Sequence, residues 1–81
     1  MLRITVGTTL ESSPAKVKSA ETTVREMLAE YQEETGFDIS TGSWAINGTP
    51  LRHEEYDKSF SALGYTDGNI YLMNIVNAKN A

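Results

Sequence analysis

Cysteine is absent from this 81-residue chain, and histidine occurs once, at His53. Without cysteine there is neither a disulfide framework nor a thiolate metal site. A transition-metal site would have to be built largely from carboxylates, which we do not expect. We therefore expect no metal and no cofactor. The fold then depends on an apolar core, for which 40% hydrophobic residues are available.

Clustered positive charge and long apolar runs are also missing. The net charge is −4 and the seven Lys and Arg residues are scattered singly, which argues against nucleic-acid binding. No run approaches the roughly 18 apolar residues of a membrane span. The first ten residues, MLRITVGTTL, alternate instead of forming the apolar block of a signal peptide. We expect a soluble, cytoplasmic protein that binds neither nucleic acid nor membranes.

No group of residues has the pattern of a catalytic site. The acidic pairs Glu33-Glu34 and Glu54-Glu55 are adjacent in the sequence, so their side chains point apart on any regular element. We interpret them as solvated charge. His53 has no carboxylate at a spacing that would orient it as a base. The sequence therefore predicts no catalytic residue and a protein that is not an enzyme.

Short amphipathic elements are what the chain does contain. The segment LRITV alternates, with Leu2, Ile4 and Val6 on one face, and this predicts a half-buried strand. The segment AKVKSAE predicts a weaker second strand with Val17 pointing inward between two lysines. Because the two strands are close in sequence, we expect them to form a hairpin.

The segment TTVREMLAEYQEETG gives the clearest signal, that of an amphipathic helix. Thr23 and Glu26 have the spacing of a capping box, and Gly36 stands where a left-handed C-terminal cap belongs. Apolar residues recur at i, i+3, i+4 and i+7 in a single stripe. The residues of this stripe are Val24, Met27, Leu28 and Tyr31.

The second half of the chain predicts further strands. Trp44 and Ile46 share a face, and Asn47-Gly48 favours a type I′ turn. Asp67-Gly68 then turns the chain into the last strand, NIYLMNIV. The order β-β-α-β-(β)-β predicts an α+β fold with one helix across a sheet face. The predicted core consists of Leu2, Ile4, Val6, Val17, Val24, Met27, Leu28, Tyr31, Trp44, Ile46, Leu51, Phe60 and Leu63.

These elements resemble the ubiquitin-like β-grasp family over nearly the whole chain. The similarity lies in LRITV, in the capped helix that opens at Thr23-Val24 and ends at Gly36, and in the strand–turn–strand around Gly48. In that family the strand–turn–strand carries the main recognition patch. The resemblance implies a mixed sheet of four to five strands and a ubiquitin-like domain over residues 1–76. Residues 77–81 are short, polar and without an apolar anchor, and we expect them to form a flexible tail.

One departure from the family concerns function. Conjugating members and the related sulfur carriers end in Gly-Gly, whereas this chain has no glycine after Gly68 and ends Ala-Lys-Asn-Ala. The resemblance then implies a non-conjugated type. Small ubiquitin-like accessory proteins of bacterial type VII secretion, with a Gly-x-Trp like Gly42-Ser43-Trp44, and other prokaryotic ubiquitin-like proteins are both similar.

The expected function is a non-catalytic module that binds a protein partner through its sheet face. The alternative is a relative of the ubiquitin-like modifiers or sulfur carriers with an atypical or processed C-terminus. The sequence leaves the identity of the partner and the oligomeric state open.

The register of the last strand decides which residues form that face, and both of its parities are apolar. If Ile70 and Leu72 point inward, the amide of Asn74 needs buried partners, at a cost of about 1–3 kcal/mol when unpaired. We therefore choose the opposite parity, in which Tyr71, Met73 and Ile75 point inward. The predicted protein-binding residues on the open face are then Ala45, Ile70, Leu72 and Asn74.

Overall fold

Five strands, one α-helix and one 3₁₀ turn form the regular structure of residues 1–75, the part of the chain that the computed structural model describes. In chain order they are β1 (Leu2–Gly7), β2 (Lys16–Lys18), α1 (Val24–Thr35), β3 (Ser43–Ile46), β4 (Thr49–Pro50), the 3₁₀ turn (His53–Asp57) and β5 (Gly68–Ile75). The predicted tail, residues 77–81, lies outside the described residues, as does Val76. No helix of the described part is long and apolar enough to cross a membrane.

The strands form one mixed sheet in the order β2-β1-β5-β3-β4. Strands β1 and β5 run parallel at its centre, while β2, β3 and β4 each pair antiparallel with their neighbours. The helix packs on one face of this sheet and shares a single core with it. The fold is the α+β, β-grasp-like arrangement that the element order predicts.

Helix α1 begins and ends as its sequence predicts. The Thr23 hydroxyl accepts a hydrogen bond from the Glu26 amide at 3.1 Å, and the Glu26 carboxylate accepts one from the Thr23 amide at 2.9 Å. At the other end Gly36 adopts φ 78°, and its N–H donates to the carbonyl of Gln32 at 2.8 Å. All four residues of the apolar stripe are buried, so the helix prediction is confirmed.

Most of the predicted core is also buried. Trp44 packs edge-on against Tyr31 and Phe37, with ring centroids 6.2 and 6.1 Å apart. Leu51 and Leu63 are half-buried at the margin of the core. The core residues that the sequence analysis missed are Ile70 and Leu72.

The prediction that Val17 points inward is wrong, because its side chain is 55% exposed. Val17 lies opposite Arg3 and so points to the face away from the helix. Lys16 and Lys18 take the helix side, where both donate to the carboxylate of Glu30, at 2.6 and 2.8 Å. The aliphatic part of a lysine side chain can cover apolar surface while its ammonium group stays accessible to water. An edge strand can therefore place lysines on the side of the sheet that faces the helix.

The predicted register of β5 is also wrong. Ile70 and Leu72 are 2% and 0% exposed, and Asn74 is 0% exposed on the same face. The parallel pairing places Ile70 opposite Ile4 and Leu72 opposite Val6, which extends the apolar surface of β1. The cost assigned to a buried Asn74 is reduced because its Nδ2 donates to the carbonyl of Thr41 at 2.8 Å.

Candidate functional site

The open sheet face is the side of the sheet opposite α1, and it is the candidate binding surface of this molecule. Its residues alternate along each strand with the buried ones. They are Arg3, Thr5, Val17, Ser43, Ala45, Pro50, Asn69, Tyr71, Met73 and Ile75. Val17 and Tyr71 are both 55% exposed, while Met73 and Ile75 are half-buried.

Strand pairing fixes how these residues lie relative to one another. Arg3 on β1 lies opposite Val17 on β2 and Asn69 on β5. Thr5, the next outward residue of β1, lies opposite Tyr71. Arg3 therefore has Val17 directly opposite it on one side. On the other side Tyr71 lies diagonally from it, two residues beyond Asn69 on β5.

The position of Tyr71 is held by the turn between β3 and β4. Its N–H donates to the Asn47 side-chain Oδ1 and its carbonyl accepts from the Asn47 N–H, each at 2.9 Å. Asn47 adopts φ 50° and Gly48 φ 88°, as a type I′ turn requires. Both backbone groups of Tyr71 are thus bonded, and its side chain stands on a fixed segment of a central strand.

Of the four residues predicted to bind a partner, the structure places one on this face. Ala45 lies there between Met73 and Pro50, but its small side chain is only 1% exposed. The other three, Ile70, Leu72 and Asn74, point to the helix side and are buried, so the prediction that they form an exposed patch is wrong.

Tyr71 and Val17 are the exposed apolar residues that the sequence analysis assigned to the interior. One sequence signal favoured the observed parity of β5. A tyrosine hydroxyl needs a hydrogen-bond partner when it is buried, whereas an outward tyrosine keeps its hydroxyl in water. Burying Tyr71 leaves a hydroxyl to be paired, just as burying Asn74 leaves an amide to be paired. The preference of tyrosine for an accessible hydroxyl favours the parity in which Tyr71 is exposed.

Charge is distributed unevenly between the two sides of the molecule. Among the outward strand positions of residues 1–75, Arg3 is the one charged residue and no carboxylate occurs. The acidic side chains of the described chain lie instead on α1, on the 3₁₀ turn and in loops. The open sheet face is therefore nearly free of the negative charge that dominates the protein.

Most cations of residues 1–75 are paired with carboxylates away from this face. Lys16 bonds Glu30 and Glu34, and Lys18 bonds Glu30. Arg25 Nε lies 2.5 Å from Asp57 Oδ1, and Arg52 Nε lies 3.2 Å from Glu54 Oε2. Within the described part of the chain, the cationic side chains without an ion pair are Arg3 and Lys58.

These ion pairs shift the pKa values of Lys16, Glu30 and Asp57. Hydrogen bonds from Lys16 and Lys18 hold the pKa of the Glu30 carboxyl below its ordinary value, and the bonds to Glu30 and Glu34 raise the pKa of Lys16. The bond from Arg25 likewise lowers the pKa of Asp57. Each of these shifts favours the ionised form of the group, so the charges of Lys16, Glu30 and Asp57 are matched within the molecule.

A cleft of about 550 Å³ opens between α1, β3 and the 3₁₀ turn. Trp44 and Leu28 form part of its apolar lining, and Arg25 and His53 contribute polar nitrogen atoms. Since Arg25 is already bonded to Asp57, the cleft has little net charge to offer an ion. Within residues 1–75 no three His, Asp or Glu side chains are grouped so that they could hold a metal.

Comparison with known proteins adds no relative from which a site could be transferred. Neither the models of known protein families nor the curated protein sequences match this chain. The geometry of the open sheet face is therefore the basis for a function.

Proposed function

We propose that this chain is a non-catalytic protein-binding module that docks a protein partner through its open sheet face. The observation that carries the proposal is the exposure of Tyr71 and Val17 on one side of the sheet. Val17 and Tyr71 lie on either side of β1 on the same face, and exposed apolar surface of this kind on a small protein is a feature of interaction sites. Tyrosine in particular is enriched at interfaces, since it combines a large apolar ring with a polar tip.

The support beneath Tyr71 favours the same function. Its backbone is bonded to Asn47 on one side and lies in the parallel ladder with β1 on the other. A tyrosine has two side-chain torsions, so ordering it in an interface costs little conformational entropy. Met73 and Ile75, half-buried beside it, continue the apolar surface along β5.

The resemblance to the ubiquitin-like β-grasp family points in the same direction, because that family uses a strand–turn–strand of its sheet for recognition. We propose that this chain is a non-conjugated, ubiquitin-like member of that kind. The alternative, a modifier or sulfur carrier, depends on the C-terminal residues 77–81, which lie outside the described part of the chain.

In the experiment, a protein partner is captured with the wild-type protein, and its affinity for the wild type is compared with its affinity for two charge variants. Tyr71→Asp places a carboxylate at the centre of the face, whereas Glu33→Lys changes an exposed residue of α1 on the other side. We expect Tyr71→Asp to retain its fold and to bind the captured partner at least about tenfold more weakly, which is about 1.4 kcal/mol. Glu33→Lys should bind as the wild type does.

Two results would contradict the proposal. If Tyr71→Asp binds the same partner with unchanged affinity, the interface lies elsewhere on the molecule. If the chain instead forms a covalent adduct through its C-terminal carboxylate, the modifier or carrier alternative is correct.

A further inference from the structure

The charge pattern of the open sheet face indicates the chemistry of its partner. Resting on the proposed function, we infer that the partner presents a carboxylate side chain flanked by apolar side chains. The carboxylate pairs with Arg3, and the apolar side chains pack on Val17 and Tyr71.

Arg3 is the residue that carries this inference. It is exposed, and it has no ion pair among the described residues, unlike Arg25 and Arg52. Its neighbours across the strand pairs are Val17 and Asn69, neither of which is charged. A guanidinium group thus stands within an otherwise neutral, partly apolar surface.

Covering this surface with purely apolar groups would bury an unpaired guanidinium, and burying an unpaired charge is strongly unfavourable. A carboxylate offsets that cost, because its two oxygens accept two parallel hydrogen bonds from the guanidinium fork. Dispersion and apolar burial at Val17 and Tyr71 then add to the pairing. The face selects against partners that lack the acid and against those that place a cation opposite Arg3.

A second copy that docks face to face does not meet the requirement. If two copies met through their open sheet faces, each Arg3 would approach a face whose described strand positions contain no carboxylate. Both guanidinium groups would stay unpaired in the interface. The inferred occupant is a segment of a different protein, and association of two copies is an outcome that the experiment distinguishes.

The spacing of the three residues sets the length of that segment. Neighbouring strands lie about 4.8 Å apart and residues along a strand rise about 3.3 Å, so Val17 and Tyr71 are separated by on the order of 12 Å. A helix of about eight residues, or a shorter extended segment, spans this distance. A short linear peptide is therefore a sufficient probe.

The experiment is a selection from a displayed library of random peptides of about twelve residues, which exceeds the required span. The targets are the wild type, Arg3→Glu, Tyr71→Asp and Lys58→Glu. The last is the matched control, because Lys58 is the other exposed cationic side chain without an ion pair among residues 1–75. The wild type and Lys58→Glu should enrich peptides with Asp or Glu between apolar residues. Arg3→Glu should bind those peptides at least about tenfold more weakly and should enrich Lys or Arg instead.

The remaining outcomes separate this inference from the proposed function. Peptides without an acid that bind the wild type and are lost on Tyr71→Asp would overturn the inference and leave the face as the binding site. Peptides that bind Arg3→Glu and Tyr71→Asp as tightly as they bind the wild type would overturn both. Wild-type self-association in sedimentation that Tyr71→Asp abolishes would show that a second copy occupies the face, and would overturn the inference.

Discussion

At the scale of single residues, Asn74 joins the last strand to the loop that precedes β3. Its side chain is fully buried, its Nδ2 donates to the Thr41 carbonyl at 2.8 Å, and its Oδ1 has no hydrogen-bond partner among the described residues. The indole N–H of Trp44 donates to the Ile39 carbonyl of the same loop at 3.0 Å. Two buried side chains thus hold the loop against the sheet.

The importance of the Asn74 donor can be tested with two substitutions. Asn74→Ala removes the bond to Thr41 and leaves a small cavity, at a cost of about 1–3 kcal/mol. Asn74→Asp is nearly isosteric but at neutral pH presents a buried carboxylate to a carbonyl oxygen. We expect it to be the more destabilised of the two at pH 7 in urea unfolding.

The pH dependence of Asn74→Asp follows from burial. Desolvation raises the pKa of the new carboxyl in the folded state above its unfolded value of about 3.9. The folded state then binds more protons, so stability falls as pH rises from the unfolded pKa towards the folded one. Near pH 4 the protonated acid can donate to the carbonyl of Thr41. The stability of Asn74→Asp should there approach or exceed that of Asn74→Ala. Equal stability of both variants at all pH values would contradict a donor role.

At the scale of elements, β2 is held by its pairing with β1 and by ion pairs to the helix. It has three residues, it lies at the edge of the sheet, and its one apolar side chain, that of Val17, points away from the core. Both lysines bond the carboxylate of Glu30 on α1. These ion pairs take the place of an apolar contact between β2 and the helix.

We expect Glu30→Gln to loosen β2 selectively. The amide protons of Lys16 and Lys18, which lie opposite Ile4 and Leu2, should exchange faster. Those of β5 should stay protected, because the central strands do not depend on this contact. The global loss should be small and should shrink with added salt, as for other accessible ion pairs. Glu33→Gln, on the exposed side of α1, is the matched control and should leave exchange unchanged.

The sign of the pH effect provides a second measurement. The pKa of Glu30 is lowered in the folded protein, so its contribution is present above the ordinary glutamate value and is lost as pH falls through the folded pKa. The difference in unfolding free energy between wild type and Glu30→Gln should therefore vanish in acid. A difference that persists there would assign the effect of Glu30 to packing.

At the scale of the whole molecule, the sequence predicts the fold where the deciding interactions are local. The capping box and apolar stripe of α1 lie between Thr23 and Tyr31, and both are found as expected. The orientation of β2 and β5 is decided by distant contacts. Alternation gives two parities for a strand but not which one is buried. Thr41, which bonds Asn74, lies 33 residues away in the chain, and so the predicted binding surface was placed on the wrong side of β5.

The two faces of β5 predict opposite effects for the same substitution at adjacent positions. Leu72 is 0% exposed within the core, so Leu72→Asp buries a carboxylate among apolar side chains at a cost of several kcal/mol. A chain of this size has only about 4–12 kcal/mol of stability, and we expect Leu72→Asp to be largely unfolded at pH 7. Tyr71 is 55% exposed, so Tyr71→Asp should stay folded, within about 1 kcal/mol of the wild type. Urea midpoints together with the dispersion of amide resonances measure both variants. A folded Leu72→Asp beside an unfolded Tyr71→Asp would reverse the register and move the open sheet face to Ile70 and Leu72.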